Sequence, residues 1–460
     1  MKLHVDAGDR VAFYFCGHDA PYQEGISVPP EECGLFRKLP EVRGVELIGK
    51  ERLKFVDRVR LPEISYEGPT EFDSLESLMQ FRHGNFEAGV GVASSLVSNE
   101  RNSRPDLVRN NASIRTMIES ALRVYAFSRA TIDQERADLV YVFNGRFCNY
   151  RAVMSAGLDA GIEVLVHERG GTRDNYDVQP FMPHEAARFQ EQIVSTWAKS
   201  KDDPGVRERG ANYFIDRRAG MDPTWMSFTD QQKKDFLPAI DANKKVVTFF
   251  SSSEDEFVSV GGVFELTSWK SQYEAITELI NICKRHPDIQ LFIRLHPHLR
   301  DKSHADQQRW LSLGDIENVT VISFDSEVDT YALIERSDIV VTAWSTVGIE
   351  AVFWGRPSIT IGPSFYTALG ATFQPRSVEE LSDLISADLV PADRDLAIAY
   401  GYYMAGYGTP FRYYEAQGLF NGKFMGVDLQ AAPQARLRWL KLRQIMTKPV
   451  RLIKKLINLF

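Results

Sequence analysis

Between residues 245 and 361, short apolar runs recur five times with helical or polar segments between them. The runs are KVVTFF (245–250), IQLFIRL (289–295), VTVIS (319–323), DIVVT (338–342) and PSITI (357–361). A strand with almost no polar face must be covered on both sides, as the strands of a parallel sheet are. Segments of helical periodicity at 272–284, 327–336 and 347–354 supply the crossovers. Gly355 follows the last of these, in the place of a helix-terminating residue. The spacing therefore predicts an α/β domain with a doubly wound parallel sheet.

A shorter series precedes it. DLVYVF (138–143) reads as a buried strand, 150–160 as a helix closed by Gly161, and 163–166 as the next strand. HERGG (167–171) then reads as a loop, with helices expected at 184–199 and 202–211. At 460 residues the chain exceeds one ordinary domain. We expect two doubly wound, Rossmann-like domains facing a central cleft. The N-terminal domain, 1–240, would take the acceptor, and 241–380 would take a nucleotide. Closing helices would fill 381–433 and pack back on the first domain. Residues 434–460 would form a tail. Residues 1–110 carry no pattern that assigns them a role.

Charge sets the tail apart. No Asp or Glu follows Asp428, whereas eight of the 54 Lys and Arg do, so the rest carries 46 basic against 62 acidic residues. Such a body does not suit nucleic acid. The tail groups Leu452, Ile453, Leu456, Ile457, Leu459 and Phe460 with Arg451, Lys454 and Lys455, a composition suited to an anionic membrane surface. No run reaches the ~18 apolar residues of a membrane span, and residues 1–17 do not read as a secretory signal. Four scattered cysteines (Cys16, Cys33, Cys148, Cys283) without a CxxC pair argue against a zinc site and suit a reducing cytosol. The expected location is cytoplasmic, peripheral to the inner face of the cytoplasmic membrane.

Ligands of open parallel sheets bind beyond the carboxyl ends of the strands, so the polar residues there are the candidates. In the second half these are Ser251 and Ser252, His296 with Pro297, and Ser345 with Thr346. Hydroxyls at a strand-to-helix junction can complete a phosphate cradle, or can simply cap the helix. His296 can donate to a phosphate oxygen. Together they would form two walls of one phosphate pocket. In the first half the loops hold Asn144, Arg146, Glu168, Arg169 and Gly170. Glu168 is placed to act as a general base, with Asp174 and Asp177 as back-up carboxylates. The glycines after it allow close approach of a ligand. No HxxxH or HExxH spacing indicates a metal site.

The stretch DSEVDTYALIERSDIVVTAWSTVGIEAVFWGRPSI (325–359), with RLHP before it, resembles the GT-B glycosyltransferases of bacterial capsule and lipopolysaccharide biosynthesis. The likeness is to the group of Kdo transferases and bacterial polysialyltransferases. It implies a GT-B fold in which His296-Pro297 and Ser345-Thr346 bind the phosphate of a CMP-sugar. It also implies an inverting, metal-independent transfer with no cofactor, the nucleotide-sugar being a substrate. The family's acidic-acidic-Gly motif falls on Glu168-Arg169-Gly170, where the second position is Arg169. The expected donor is a CMP-linked acidic sugar, and the acceptor a hydroxyl of a glycan or lipid-linked glycan. Two alternatives share these residues: a CDP-polyol phosphotransferase of teichoic-acid type, and a nucleotide-sugar binding protein without catalysis.

Overall fold

The computed structural model describes residues 1–14, 20–23, 42–56, 59–64, 66, 68–69, 71–221, 229, 231–260, 266, 268–314, 316–418 and 421–429. The basic tail lies outside the described residues. The chain divides into two units: a small one from 1–15, 27–57 and 411–460, and a large one from 16–26 and 58–410.

The small unit joins distant parts of the sequence. Strands Ala12–Tyr14 and Lys54–Val56 pair in parallel. Three antiparallel strands, Tyr414–Ala416, Gly422–Phe424 and Val427–Asp428, form a second sheet. Val5, Val45, Ile48 and Leu53 make its core, with Phe13, Phe55 and Phe424 against them. The Tyr413 hydroxyl donates to Asp6 at 2.8 Å.

In the large unit the first half runs α1 (Ala88–Glu100), α2 (Asn111–Glu135), β1 (Leu139–Phe143), α3 (Cys148–Asp159), β2 (Glu163–Arg169), β3 (Asn175–Gln179), α4 (Ala186–Ser200) and α5 (Val206–Arg218). The second half begins with β4 (Lys245–Phe250), α6 (Gln272–Lys284), β5 (Ile289–Arg294), α7 (His304–Leu311) and β6 (Val319–Ile322). It continues with α8 (Thr330–Arg336), β7 (Ile339–Thr342), α9 (Val347–Phe353), β8 (Ser358–Thr360), α10 (Val378–Ser386), α11 (Arg394–Met404) and β9 (Thr409–Pro410).

The second-half sheet has the order β8-β7-β4-β5-β6, and every pairing is parallel. Its first strand is central and the chain winds outward on both sides, so the order reverses beside β4. Alternate residues serve opposite faces. Val247, Phe249, Leu291, Ile293 and Val341 pack on Ile276 and Leu279 of α6 and Leu381 of α10. Val246, Phe250, Phe292 and Val340 meet Leu333 and Ile334 of α8 and Ala351 of α9. Each such large side chain taken fully out of water contributes roughly 1.5–3 kcal/mol. Strand bounds here fall within a residue or so of the sequence expectation.

The first-half sheet, β9-β3-β2-β1, departs from it. Only β1 and β2 are parallel; β3 runs antiparallel to β2, and β9 antiparallel to β3. HERGG is therefore not a loop up to its glycines: His167–Arg169 remain in β2 because β3 gives their backbone a partner. Helices α4 and α5 share one core with α9 and α11, through Phe189, Ile193, Phe214, Val352, Phe353 and Tyr400. After α11 the chain reaches the first sheet and adds β9 to its edge.

Candidate active site

At the carboxyl end of β4, the loop 251–257 is held from several sides. The Ser251 hydroxyl accepts from the His296 N–H at 2.8 Å, joining the ends of β4 and β5. Gln272, the first residue of α6, accepts from Ser252 N at 2.7 Å and donates back to Ser252 O at 3.1 Å. Lys302 pairs with Asp255 at 2.5 Å. Burial pushes the Asp255 carboxyl up, but the bond and charge of Lys302 outweigh it and hold the group below its ordinary range.

Over this loop lies a pocket open to solvent. Ser251, Ser252, Ser253, His296, Lys302, Tyr273, Arg309 and Trp310 line it, with Arg101 and Arg104 from the first half. Arg309 lies 3.7 Å over the Tyr273 ring, and Trp310 meets that ring edge-on at 5.3 Å. The Ser252 hydroxyl is buried and has no hydrogen-bond partner among the described residues. A buried hydroxyl left so costs about 1–3 kcal/mol. His296 Nδ1 accepts from the His298 N–H at 3.2 Å, so in the neutral ring the proton sits on Nε2. Burial, aided by His298, brings its imidazole down to about 4, so the ring is neutral at pH 7.

Ser345 and Thr346 flank the same loop on its other side, beyond β7, and do not line this pocket. Ser345 Oγ accepts from Val347 N at 3.2 Å, and the Thr346 hydroxyl donates to Glu350 at 2.8 Å. Both hydroxyls are thus engaged with their own short helix. Pro297 opens a 3-10 turn after His296, where its missing N–H costs nothing. Arg294, the last residue of β5, belongs to the fold: it is 5% exposed and donates to Ser323 O and Ser326 O.

In the first half Asn144 and Glu168 come together. Asn144 has a left-handed backbone, φ 59°, and its amide donates to Glu168 Oε2 at 2.7 Å. Glu168 Oε1 accepts from the Arg169 N–H at 3.0 Å. Asp174 is exposed in the turn between β2 and β3. Asp177 instead stands opposite Glu168 on β3 and is 5% exposed. The close approach permitted by the glycines is to the chain itself. A Cβ on Gly170 would stand 2.9 Å from Tyr407 O, and one on Gly171 would stand 2.4 Å from Met404 O. The glycines therefore seat the hairpin on the returning segment, and the sequence expectation of a ligand there is corrected.

Arg146 links the two halves. Its guanidinium donates to Glu256 O at 3.0 Å, Asp255 O at 3.3 Å and Ser94 Oγ at 3.4 Å. Its backbone N–H donates to Asn144 Oδ1 at 3.3 Å. Burial lowers the guanidinium to about 10, which leaves it charged. Arg146 is thus a strut within the protein. Sequence reasoning missed Tyr273, Lys302, Arg309 and Trp310, since on helices and turns they lack any strand-end signature. Among the described residues no three His, Cys, Asp or Glu side chains are grouped to hold a metal ion. Nor is any described helix long and apolar enough to cross a membrane.

Residues 232–404 match the family of capsule polysaccharide biosynthesis proteins. Among solved structures, the chain is similar in part to KpsC of Thermosulfurimonas dismutans, a beta Kdo 2,4 transferase. The two are 14% identical, with 58% of this chain and 80% of that one covered and a TM-score of 0.41. The beta Kdo 2,7 transferase KpsC of the same organism is 17% identical, with 60% and 80% covered and a TM-score of 0.39. The UDP-GlcNAc 2-epimerase of Neisseria meningitidis, bound to UDP-GlcNAc, is 12% identical, with 62% and 80% covered and a TM-score of 0.31. No curated protein matches. The matched segment holds all five strands of the parallel sheet together with His296 and Ser345.

Proposed function

We propose that the chain is an inverting glycosyltransferase that moves a sugar from a nucleotide-activated donor to a glycan hydroxyl. The observation that carries this reading is the Arg146 strut. It ties the loop that rims the pocket to the strand end where Asn144 holds Glu168. A group held by the second half can then meet a base held by the first.

The donor lies in the pocket at the ends of β4 and β5. Its phosphate accepts from His296 Nε2–H and from the unpartnered Ser252 hydroxyl. Arg104 and Arg309 line the pocket and meet the donor phosphate, beside Arg101 and Lys302, which pair with Asp301 and Asp255; a CMP-linked acidic sugar is the first donor to test. The Tyr273, Arg309 and Trp310 cluster offers a flat wall to a nucleobase. Glu168 takes the proton of the acceptor hydroxyl. The new bond forms from that oxygen to the anomeric carbon, and the bond to the donor phosphate breaks with its electron pair leaving on phosphate. With cations and N–H groups meeting the phosphate charge, transfer needs no metal and persists in EDTA. Ser345 and Thr346 act by fixing the β7–α9 junction beside the loop. The basic tail holds the protein at an anionic membrane surface, near a lipid-linked acceptor.

The reading is tested by calorimetric titration of CMP, CDP, UDP and GDP into the wild type and His296→Ala. One nucleotide binds the wild type, and the substitution weakens it at least tenfold. Unchanged affinity in His296→Ala would overturn the phosphate assignment. Mass spectrometry of the product then identifies the transferred group; an added phosphate would mark a polyol-phosphate transfer instead.

A further inference from the structure

One buried carboxylate has no part in that reaction. Asp177 lies directly opposite Glu168 in the antiparallel β2–β3 pair, so the two side chains leave the same face of the sheet. Asp177 Oδ1 accepts from the Gln179 amide at 2.8 Å. The Gln179 carbonyl accepts from the Gln192 amide at 3.1 Å, and the Gln192 carbonyl from the Tyr403 hydroxyl at 2.5 Å. Every donor in this chain points the same way, from α11 through α4 to β3, and the last acceptor is Asp177. Aligned hydrogen bonds of this kind polarise one another toward the terminal acceptor. On the other side Asn144 donates to Glu168, so the two carboxylates are braced from opposite ends.

We propose that Asp177 is a positioning residue for the transfer: held by the Tyr403–Gln192–Gln179 chain, it orients Glu168 and shares the proton that Glu168 takes from the acceptor. The inference rests on the reading of Glu168 as base. Two facing carboxylates cannot both stay ionised as readily as one alone, so such a pair can share a proton. The Asp177 carboxyl fits this. Burial pushes it up and the Glu168 charge adds to that, against the pull of the Gln179 amide and the Val178 N–H. The other titratable or charged groups about the pair are His167 and Arg169 on β2, and Tyr403 and Tyr407 from α11 and the turn after it. Burial and the carboxylates hold both tyrosine hydroxyls far above their ordinary range, so they act as donors throughout the working pH. Burial lowers His167, which is neutral at pH 7. The macroscopic titration therefore belongs to the carboxylate pair.

The test is the pH profile of kcat/KM for transfer by the full chain, from pH 4.5 to 9. In Asp177→Asn the acid limb moves down by about one pH unit, because the second carboxylate that shares the proton is gone. At pH 7 the rate falls about tenfold, Glu168 having lost the group that orients it. Nucleotide affinity stays within twofold, and Asp177→Glu restores the acid limb. Gln192→Leu, which breaks the chain at a distance, shifts the limb in the same direction by less and covers the case in which Asp177→Asn fails to fold. An acid limb unmoved in both variants, with Glu168→Gln inactive, overturns the role of Asp177 and leaves the base intact. Full transfer by Glu168→Gln overturns both.

Discussion

The two sheets of the large unit are built on opposite plans. The second has five parallel strands, buried on both faces, whose carboxyl ends all fall on one edge. The first has four strands with a single parallel pair, and it takes its last strand from residues 409–410. A parallel sheet presents a row of strand ends on a rigid base, and Ser251 and His296 meet there. An antiparallel pair sets side chains facing each other in mid-strand, and Glu168 meets Asp177 there. One plan suits holding a ligand. The other suits adjusting a single group.

If that division of labour is right, the largest effects come from single changes at each sheet, and they split in opposite ways. Glu168→Gln lowers kcat by about a thousandfold or more while nucleotide affinity stays near that of the wild type. His296→Ala does the reverse in binding. Equal losses of binding in both variants would break the comparison. Arg146→Met tests the strut between the sheets. It strips the donors from Asp255 O and Glu256 O, and urea melts should register a loss of about 3 kcal/mol. Transfer by the surviving folded protein falls more than nucleotide affinity.

Smaller effects separate the sheets by their glycines. In Gly171→Ala the new Cβ meets Met404 O at 2.4 Å and Tyr407 Cδ1 at 2.8 Å, a clash with the returning segment worth about 2 kcal/mol. In Gly355→Ala, after α9, nothing lies within 4 Å and only the φ of +73° resists, at about 1 kcal/mol. Denaturant midpoints of the two variants rank them. Ser252→Ala should raise stability, by about 1 kcal/mol, because it removes a buried hydroxyl that has no partner. It should still weaken nucleotide binding about fivefold, near 1 kcal/mol. Unaltered affinity would remove Ser252 from the donor site.

The same contrast explains what could be read from the sequence. Strands such as KVVTFF, buried on both faces, write their own boundaries, and the polar residue after each marks the carboxyl edge of the sheet. Ser251, Ser252 and His296 were legible for that reason. β3 was not. NYDVQ holds Asn, Asp and Gln, and it is a strand only because β2 and β9 pair with it. With β3 unseen, HERGG read as a loop and Asp177 as one carboxylate among several. Lys302, Tyr273 and Trp310 reach the pocket through tertiary folding alone. Arg146 was visible as a loop residue, but not as a strut, since its acceptors are backbone carbonyls about 110 positions away.

The two-residue strand Thr409–Pro410 sets an order of events during synthesis. A ribosome releases the first sheet's β1, β2 and β3 more than two hundred residues before their edge partner. Until then β3 keeps an open edge, and Gly170 and Gly171 have nothing to seat against. The parallel sheet is complete once β8 has emerged. The half of the large unit that is made first is therefore finished last, and a nascent chain stalled between the release of β8 and that of residue 409 would carry a complete parallel sheet beside an unfinished first sheet.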